Sequence, residues 1–246
     1  MRIDAKNLHY RELNRQIREA VADGEKQFEL VNVNGQRYIG DGVQGPDIHI
    51  DIHGVPGNDL GAFMDGPTVR VHGNAQDGVA NTMNAGRIIV EGHAGDVLGY
   101  GMRGGELFVR GRVGYRVGIH MKSYREKQPV VVAGGTAGDF LSEYMAGGLL
   151  IILGLDRRPN EPIVGEWCGT GMHGGTLYLR GEVEPWRVAS QFAGVRTASE
   201  EDMATIRAHI QAFCDSFGLA ADELLSGTYL RIAPMSHRPY GAKYAA

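Results

Sequence analysis

The feature that most limits what this chain can fold into is a glycine that returns at a fixed interval. It closes each of a series of short apolar runs, at Gly35, Gly54, Gly73, Gly92, Gly111, Gly135, Gly154 and Gly181, with steps of 19, 19, 19, 19, 24, 19 and 27 residues. The steps of 24 and 27 are that same step with insertions of 5 and 8. A fixed period of this size means stacked units, each of which buries its apolar face only against its neighbours.

The phase of the repeat assigns side chains to faces. Two and four residues before the glycines stand Val33/Val31, Ile52/Ile50, Val71/Val69, Val90/Ile88, Val109/Leu107, Ala133/Val131, Ile152/Leu150 and Leu179/Leu177. Such alternation predicts short strands with one face inward. Ten residues after the glycine a methionine recurs, at Met64, Met83, Met102, Met121 and Met145, and Met172 joins them once the 8-residue insertion is removed. A column of flexible thioethers suits an irregular interior. Nineteen residues this rich in Gly, Val and Ile cannot make a helical repeat but can make one coil of a solenoid. At about 4.8 Å per coil, about seven coils give a rod of roughly 34 Å. The expected fold is therefore all-β, a right-handed parallel β-helix, the hand following the general preference of parallel crossovers.

Composition narrows the function classes. The 37 glycines among 246 residues are about twice the usual share, but they are periodic and bounded by strands, which argues against disorder. A net charge of -4 gives no footprint for nucleic acid or an anionic membrane. Residues 1–21 are too polar for a signal peptide and no long apolar span follows, so a cytoplasmic location is expected. Cys168 and Cys214 form neither a CxxC pair nor a disulfide framework, which fits a reducing compartment.

Helical segments flank the repeat, giving an expected division into a cap at 1–30, a β-helix at 31–185, and a helix with a tail at 186–246. Leu13, Ile17, Ala20 and Val21 place an amphipathic helix between His9 and Asp23, stopped by Gly24. It would cap the open end of the solenoid. Ser199 followed by Glu200, Glu201 and Asp202 starts a second helix with the stripe Met203, Ile206, Ile210, Phe213 and Phe217, ended by Gly218. Asp222 to Leu225 reads as a short turn. The segment from Tyr229 to Ala246, with Arg231, His237, Arg238, Pro239, Tyr240 and Lys243, reads as an extended arm.

Two insertions and one outward column are candidate surfaces for a partner. The first insertion, Lys122 to Gln128, is charged and predicts a projecting loop, with Lys122, Arg125 and Lys127 as its cations. The second, Asp156 to Pro162, is exposed and turn-rich. Three residues before each glycine, an outward column changes from Asn32, Asp51 and Arg70 to Ile89, Phe108, Val132, Ile151 and Tyr178. Either the C-terminal helix lies on its apolar half or another protein docks there; the helix needs somewhere to put its stripe, which favours the first.

Candidate chemistry is thin. Gly99-Tyr100-Gly101-Met102-Arg103-Gly104 and Gly169-Thr170-Gly171-Met172-His173-Gly174 match G-x-G-x-x-G, but a dinucleotide site needs a helix after the glycines and here a strand pattern follows. His53, His72 and Glu91 precede three successive marker glycines; rungs 4.8 Å apart suit a charge ladder continued by Arg110 better than a metal site. Asn58, Asp77, Asp96 and Asp139 recur four residues past the glycine, as turn and ladder residues do. Cys168 takes the slot of Leu60, Val79, Leu98, Val117 and Leu141, so it is expected to be buried rather than nucleophilic. No catalytic, cofactor-binding or metal residue is assigned.

The runs Gly54-Val55-Pro56-Gly57-Asn58-Asp59-Leu60-Gly61-Ala62-Phe63-Met64-Asp65-Gly66-Pro67, Gly73-Asn74-Ala75-Gln76-Asp77-Gly78, Gly92-His93-Ala94-Gly95-Asp96 and Gly135-Thr136-Ala137-Gly138-Asp139 resemble the GXGXG family. That family contains the C-terminal domain of the glutamate synthase large subunit and a structural subunit of formylmethanofuran dehydrogenase. The resemblance spans nearly the whole chain and is closest to a stand-alone glutamate synthase type. It implies a right-handed β-helix without catalytic residues, a spacer between a glutaminase and an FMN synthase barrel. The chain begins Met1-Arg2, without the N-terminal Cys of a glutaminase, and shows no iron–sulfur cysteine cluster.

The resemblance thus implies a structural subunit of a glutamate synthase-type oxidoreductase complex. Its partners would be a class II glutamine amidotransferase subunit and an FMN-dependent synthase subunit, with FMN and iron–sulfur clusters on those partners. Isolated chains could associate with themselves. The alternatives are a structural subunit of a formylmethanofuran dehydrogenase-like complex and a self-sufficient β-helix enzyme acting on sugars. Left-handed acyltransferase coils are disfavoured, since their hexapeptide rule gives steps of 18.

Overall fold

Each alternating apolar run forms a strand, and the glycine after it lets the chain turn away. In the computed structural model, which describes residues 1–236, the order is β1 (Arg2–Asp4), α1 (Tyr10–Ala22), β2 (Gln27–Asn34), β3 (His49–Val55), β4 (Asp65–Val71), β5 (Ala85–Val90), β6 (Glu106–Val109), β7 (Val130–Ala133), β8 (Ala146–Ile152) and β9 (Gly174–Arg180), then β10 (Ala193–Thr197), α2 (Glu200–Phe217), α3 (Ala221–Leu225) and β11 (Tyr229–Pro234). One 11-stranded sheet runs β1 to β9 in chain order and then β11 and β10. Neighbours from β1 to β9 pair parallel, so the chain is a parallel β-solenoid.

The register shows the repeat directly. Ile50 lies against Val69, Val69 against Ile88, Ile88 against Leu107, Leu107 against Val131, Val131 against Leu150, and Leu150 against Leu177. The marker glycines stack too: the N–H groups of Gly92, Gly111, Gly135 and Gly154 donate to the carbonyls of Gly73, Gly92, Gly111 and Gly135. The insertions of 5 and 8 leave the ladder as loops.

The first step departs from the period. Phe28 pairs with Ile50 and Leu30 with Ile52, and only after a bulge does Val33 pair with Gly54. Asn32, with φ 56°, makes that bulge. The inward residues of β2 are therefore Phe28, Leu30 and Val33, whereas Val31 is half-buried. The 19 residues between Gly35 and Gly54 match the period in sequence without matching the ladder. Six in-register steps remain from Gly54 to Gly181, and the solenoid has about six turns instead of about seven.

The second wall of each coil supplies the rest of the core. Leu60, Val79, Leu98, Val117, Leu141 and Cys168 are buried, as are all six methionines of the column, at 0–2% exposure. Each end carries a covering segment. α1, capped by His9, puts Leu13 and Ile17 into the core beside Ile3 and Ala5, and Asn14 Nδ2 donates to the Arg37 carbonyl at 2.8 Å. At the other end β11 pairs antiparallel with β9.

α2 starts with a reciprocal cap, Ser199 and Asp202 each bonding the other's backbone, and ends at Gly218 in the left-handed region at φ 65°. Ile206, Ile210 and Phe213 lie on Ile89, Phe108, Val132, Ile151 and Tyr178, forming a second core with Leu224 of α3 and Tyr229 of β11. Burying each large side chain of that stripe contributes about 1.5–3 kcal/mol.

This packing decides between the two uses of the outward column and revises one expectation. The apolar outward column is occupied by the chain's own helix, so Ile89, Phe108, Val132, Ile151 and Tyr178 offer no surface to a partner while α2 is docked. Tyr229 to Pro234, expected as part of an extended arm, is a strand because β9 still has an open edge to pair. His237, Arg238, Pro239, Tyr240 and Lys243 lie outside the described residues. The sheet crosses both expected division points, at residues 30 and 185: β2 spans the first, and β10 and β11 extend the sheet beyond the second.

Candidate functional site

The recurring acids are consumed by the fold. Asp77 Oδ1 accepts from the Asp96 N–H at 2.9 Å, Asp96 Oδ1 from the Tyr115 N–H at 2.8 Å, and Asp139 Oδ1 from the Glu166 N–H at 2.8 Å. Each carboxylate ties its turn to the next turn's backbone. Gly95, Gly114 and Gly165 make this feasible, since a Cβ on any of them would overlap the carboxylate oxygen below. Asn74 Oδ1 and His93 Nδ1 make a parallel ladder to the N–H groups of His93 and Arg112.

Cys168 is 1% exposed, and burial pushes its thiol up to about 12, the reverse of what a nucleophile needs. Both G-x-G-x-x-G segments turn directly into β6 and β9, leaving no helix N-terminus for a pyrophosphate. The rings of His53 and His72 stack with centroids 4.5 Å apart. His72 Nε2 is 2.9 Å from Asp51 Oδ1 and its Nδ1 is 3.3 Å from Glu91 Oε1, while Arg70 Nη1 bonds that same Glu91 oxygen at 2.8 Å. Arg110 continues the column by pairing with Asp156 at 2.9 Å. Acidic side chains thus face Arg70, His72 and Arg110 along these rows, and Arg70 Nη2 also donates to the Ser216 carbonyl of α2 at 2.8 Å. Among the described residues no group of three or more His, Cys, Asp or Glu is placed to hold a metal ion, and no helix is long and apolar enough to cross a membrane.

Two features do face outward. The loop at 122–128 is exposed throughout and closed by a bridge between Tyr124 and Lys127. Arg125 lies over the Tyr124 ring at 5.2 Å, and Lys127 Nζ reaches back to Asp65 Oδ1 at 3.2 Å. Lys122 and Arg125 have their charges toward solvent.

The second feature escapes the sequence reading. Tyr100, His120 and Tyr144 form an aromatic ladder along one corner, His120 stacking on Tyr144 at 5.5 Å and meeting Tyr100 edge-on at 5.8 Å. Tyr144 is 47% exposed, and nearby turns add exposed Trp167 and the Arg116 guanidinium over Phe140 at 4.8 Å. Phe63, Thr82, His120 and Tyr144 each sit one residue before a column methionine with φ of 50–55°. The left-handed region is costly for such residues, by about 1–2 kcal/mol each. A hydrogen bond from each N–H to the next turn offsets it, as from Tyr144 to the Thr170 carbonyl at 2.8 Å. For His120 and Tyr144 the available signal was the phase, one place before the methionine, and their outward aim depends on the unusual φ, which sequence does not print; Tyr100 stands one place earlier, and Gly101 takes the left-handed position at φ 56°.

The family model for the GXGXG motif matches residues 11–233. Uncharacterized protein MJ1350 of Methanocaldococcus jannaschii is 52% identical over 98% of this chain and 95% of its own length. A chain of the formyltransferase/hydrolase complex of Methylorubrum extorquens, solved with methylofuran, is similar in fold, with a TM-score of 0.62 over 94% of this chain and 90% of that one at 23% identity.

Proposed function

The chain belongs to the GXGXG motif family, and on that basis we propose that it is a structural subunit of a multisubunit enzyme complex, holding catalytic partners in fixed relation. The observation that carries the reading is the fold likeness over 94% of the chain to a chain of a multisubunit complex. The fate of the candidate chemistry supports it: the acids bond rung to rung, Cys168 is sealed in the core, and the histidines face carboxylates. A rigid rod that fixes two active sites raises flux through proximity. The loop cations Lys122, Arg125 and Lys127 and the aromatic corner are the surfaces such a role would use.

For the partners, the structural neighbour favours a complex related to formylmethanofuran dehydrogenase, in which this chain would stand beside formyl-transferring and hydrolytic subunits. The glutamate synthase type is the second reading, resting on the resemblance carried by the glycine runs from Gly54 to Asp139. There a glutaminase and an FMN synthase subunit, with FMN and iron–sulfur clusters on the partners, would flank the rod. Purifying the tagged chain from its native host separates the two. Co-purifying formyltransferase and amidohydrolase chains with formyl-transfer activity support the first. A class II amidotransferase chain with glutamine-dependent glutamate formation supports the second. Turnover by the chain alone would refute both.

A further inference from the structure

The two ends of the sheet are finished differently. β1 is three residues long with Arg2 and Asp4 exposed, Arg2 paired to Glu29 at 3.4 Å and Asp4 holding the Lys6 N–H and the Asn32 amide. A short, charged edge of this kind resists further strands. β10, at the far end, is five residues long, free of Pro and Lys, and exposed over Gly194, Val195, Arg196 and Thr197.

The register shows which backbone groups that edge offers. Ala198 donates to Tyr229 and Met235 donates to Phe192, so positions 192, 194, 196 and 198 hold the bonds to β11. Alternation then turns the N–H and C=O groups of Ala193, Val195 and Thr197 toward the free edge. The Ala193 N–H is taken by Ala189 and the Thr197 carbonyl by Arg196 Nη1, whereas the Val195 pair has no partner among the described residues. Val195 stands on the core-facing side, opposite Ile232, yet is 45% exposed. Exposed Phe192 and Met235 oppose each other at the start of the strand, Met235 on the face of Gly194.

We infer that β10 pairs antiparallel with β10 of a second copy of this chain, about a two-fold axis at Val195, joining two solenoids end to end. The edge complements itself. On the axis the Val195 N–H and C=O bond those of Val195 in the copy, and the Thr197 N–H reaches the free Ala193 carbonyl. Arg196 comes opposite Gly194, so no like charges meet, and the two Val195 side chains cover each other's exposed core face. Such an isologous contact closes on itself as a dimer.

Sedimentation of the purified full chain tests this, with a dimer expected at micromolar concentration. Val195→Pro removes an N–H that β11 does not use, and it should weaken the dimer roughly a hundredfold or more while circular dichroism stays unchanged. Val195→Cys, read independently, should give a disulfide-linked dimer on mild oxidation, against a low background because Cys168 and Cys214 are buried. A monomer at all concentrations, or a dimer indifferent to Val195→Pro and uncrosslinked by Val195→Cys, overturns the inference. So does a monomer that dimerises only when residues 237–246 are removed, or whose edge is filled only by a different protein.

Discussion

Replacing Met102 by aspartate is the severest single test of the stacked interior. Met102 is fully buried, between Met83 and Met121 in the column. Three terms add. Truncating a buried methionine costs about 2–5 kcal/mol. Burying even a neutral carboxyl without a partner costs roughly 1–3 kcal/mol more. Keeping it neutral at pH 7, against an unfolded value near 3.9, costs about 4 kcal/mol at about 1.36 kcal/mol per unit. The sum of roughly 7–12 kcal/mol rivals the whole stability of a typical domain, about 5–15 kcal/mol. The last term has a sign that can be checked. The carboxyl's folded value is raised, so its penalty is absent below about pH 4 and grows as pH rises above it. Thermal melts at pH 4 and pH 7, each paired with Met102→Leu, isolate that term; the leucine should cost under about 1.5 kcal/mol. Because each coil touches only its neighbours, hydrogen exchange should show the middle coils losing protection first. A Met102→Asp chain that melts within a degree of the parent at pH 7, with no pH-dependent offset, would refute the dry sulfur-lined interior.

Other outcomes follow from named contacts. Asp202 bonds Tyr178 and Arg231 at 3.1 Å, Arg196 at 2.6 Å and the Ser199 N–H at 2.8 Å. Burial pushes its carboxyl up, but these bonds outweigh it and hold it well below the usual range. Asp202→Asn should cost about 1.5–3 kcal/mol at pH 7, with the gap closing as pH falls below about 4, because the unfolded parent then takes up a proton that the folded carboxylate still refuses; a gap independent of pH would count against it. Gly114→Ala would bring a Cβ onto the Asp96 carboxylate and 2.8 Å from the Gly95 carbonyl; a melting temperature lower by several degrees is expected, and no change would deny the ladder. Reversing Arg125 and Lys127 to glutamate should weaken assembly with partner subunits at least about tenfold, while the isolated fold loses no more than the about 0–1 kcal/mol of the exposed Lys127–Asp65 pair. Unchanged assembly would mark the loop as a solvated insertion.

Short-range chemistry was legible in advance. The α2 start was announced by Ser199 and three acids and its end by Gly218, because caps are satisfied within a few residues. The burial of Cys168 followed from its column. The site was harder to read. The aromatic ladder depends on left-handed turns that only the bonds to the next coil make tolerable. The competing uses of the Ile89 to Tyr178 column could be weighed in sequence, but they were decided by where α2 docks.

What the sequence determined by itself is everything that repeats: strands of alternating residues, glycines where turns stack closely, and a file of methionines within. Repetition specifies a neighbour for every coil except the first and last, since identical units meet in identical ways. The ends and the outer coat lack that redundancy. The shifted first rung, the antiparallel return of Tyr229 to Pro234 and the helix over the apolar face arise from pairings between segments distant in sequence. There an open sheet edge or an uncovered hydrophobic surface takes the nearest segment able to satisfy it, and only the assembled tertiary structure decides which segment that is.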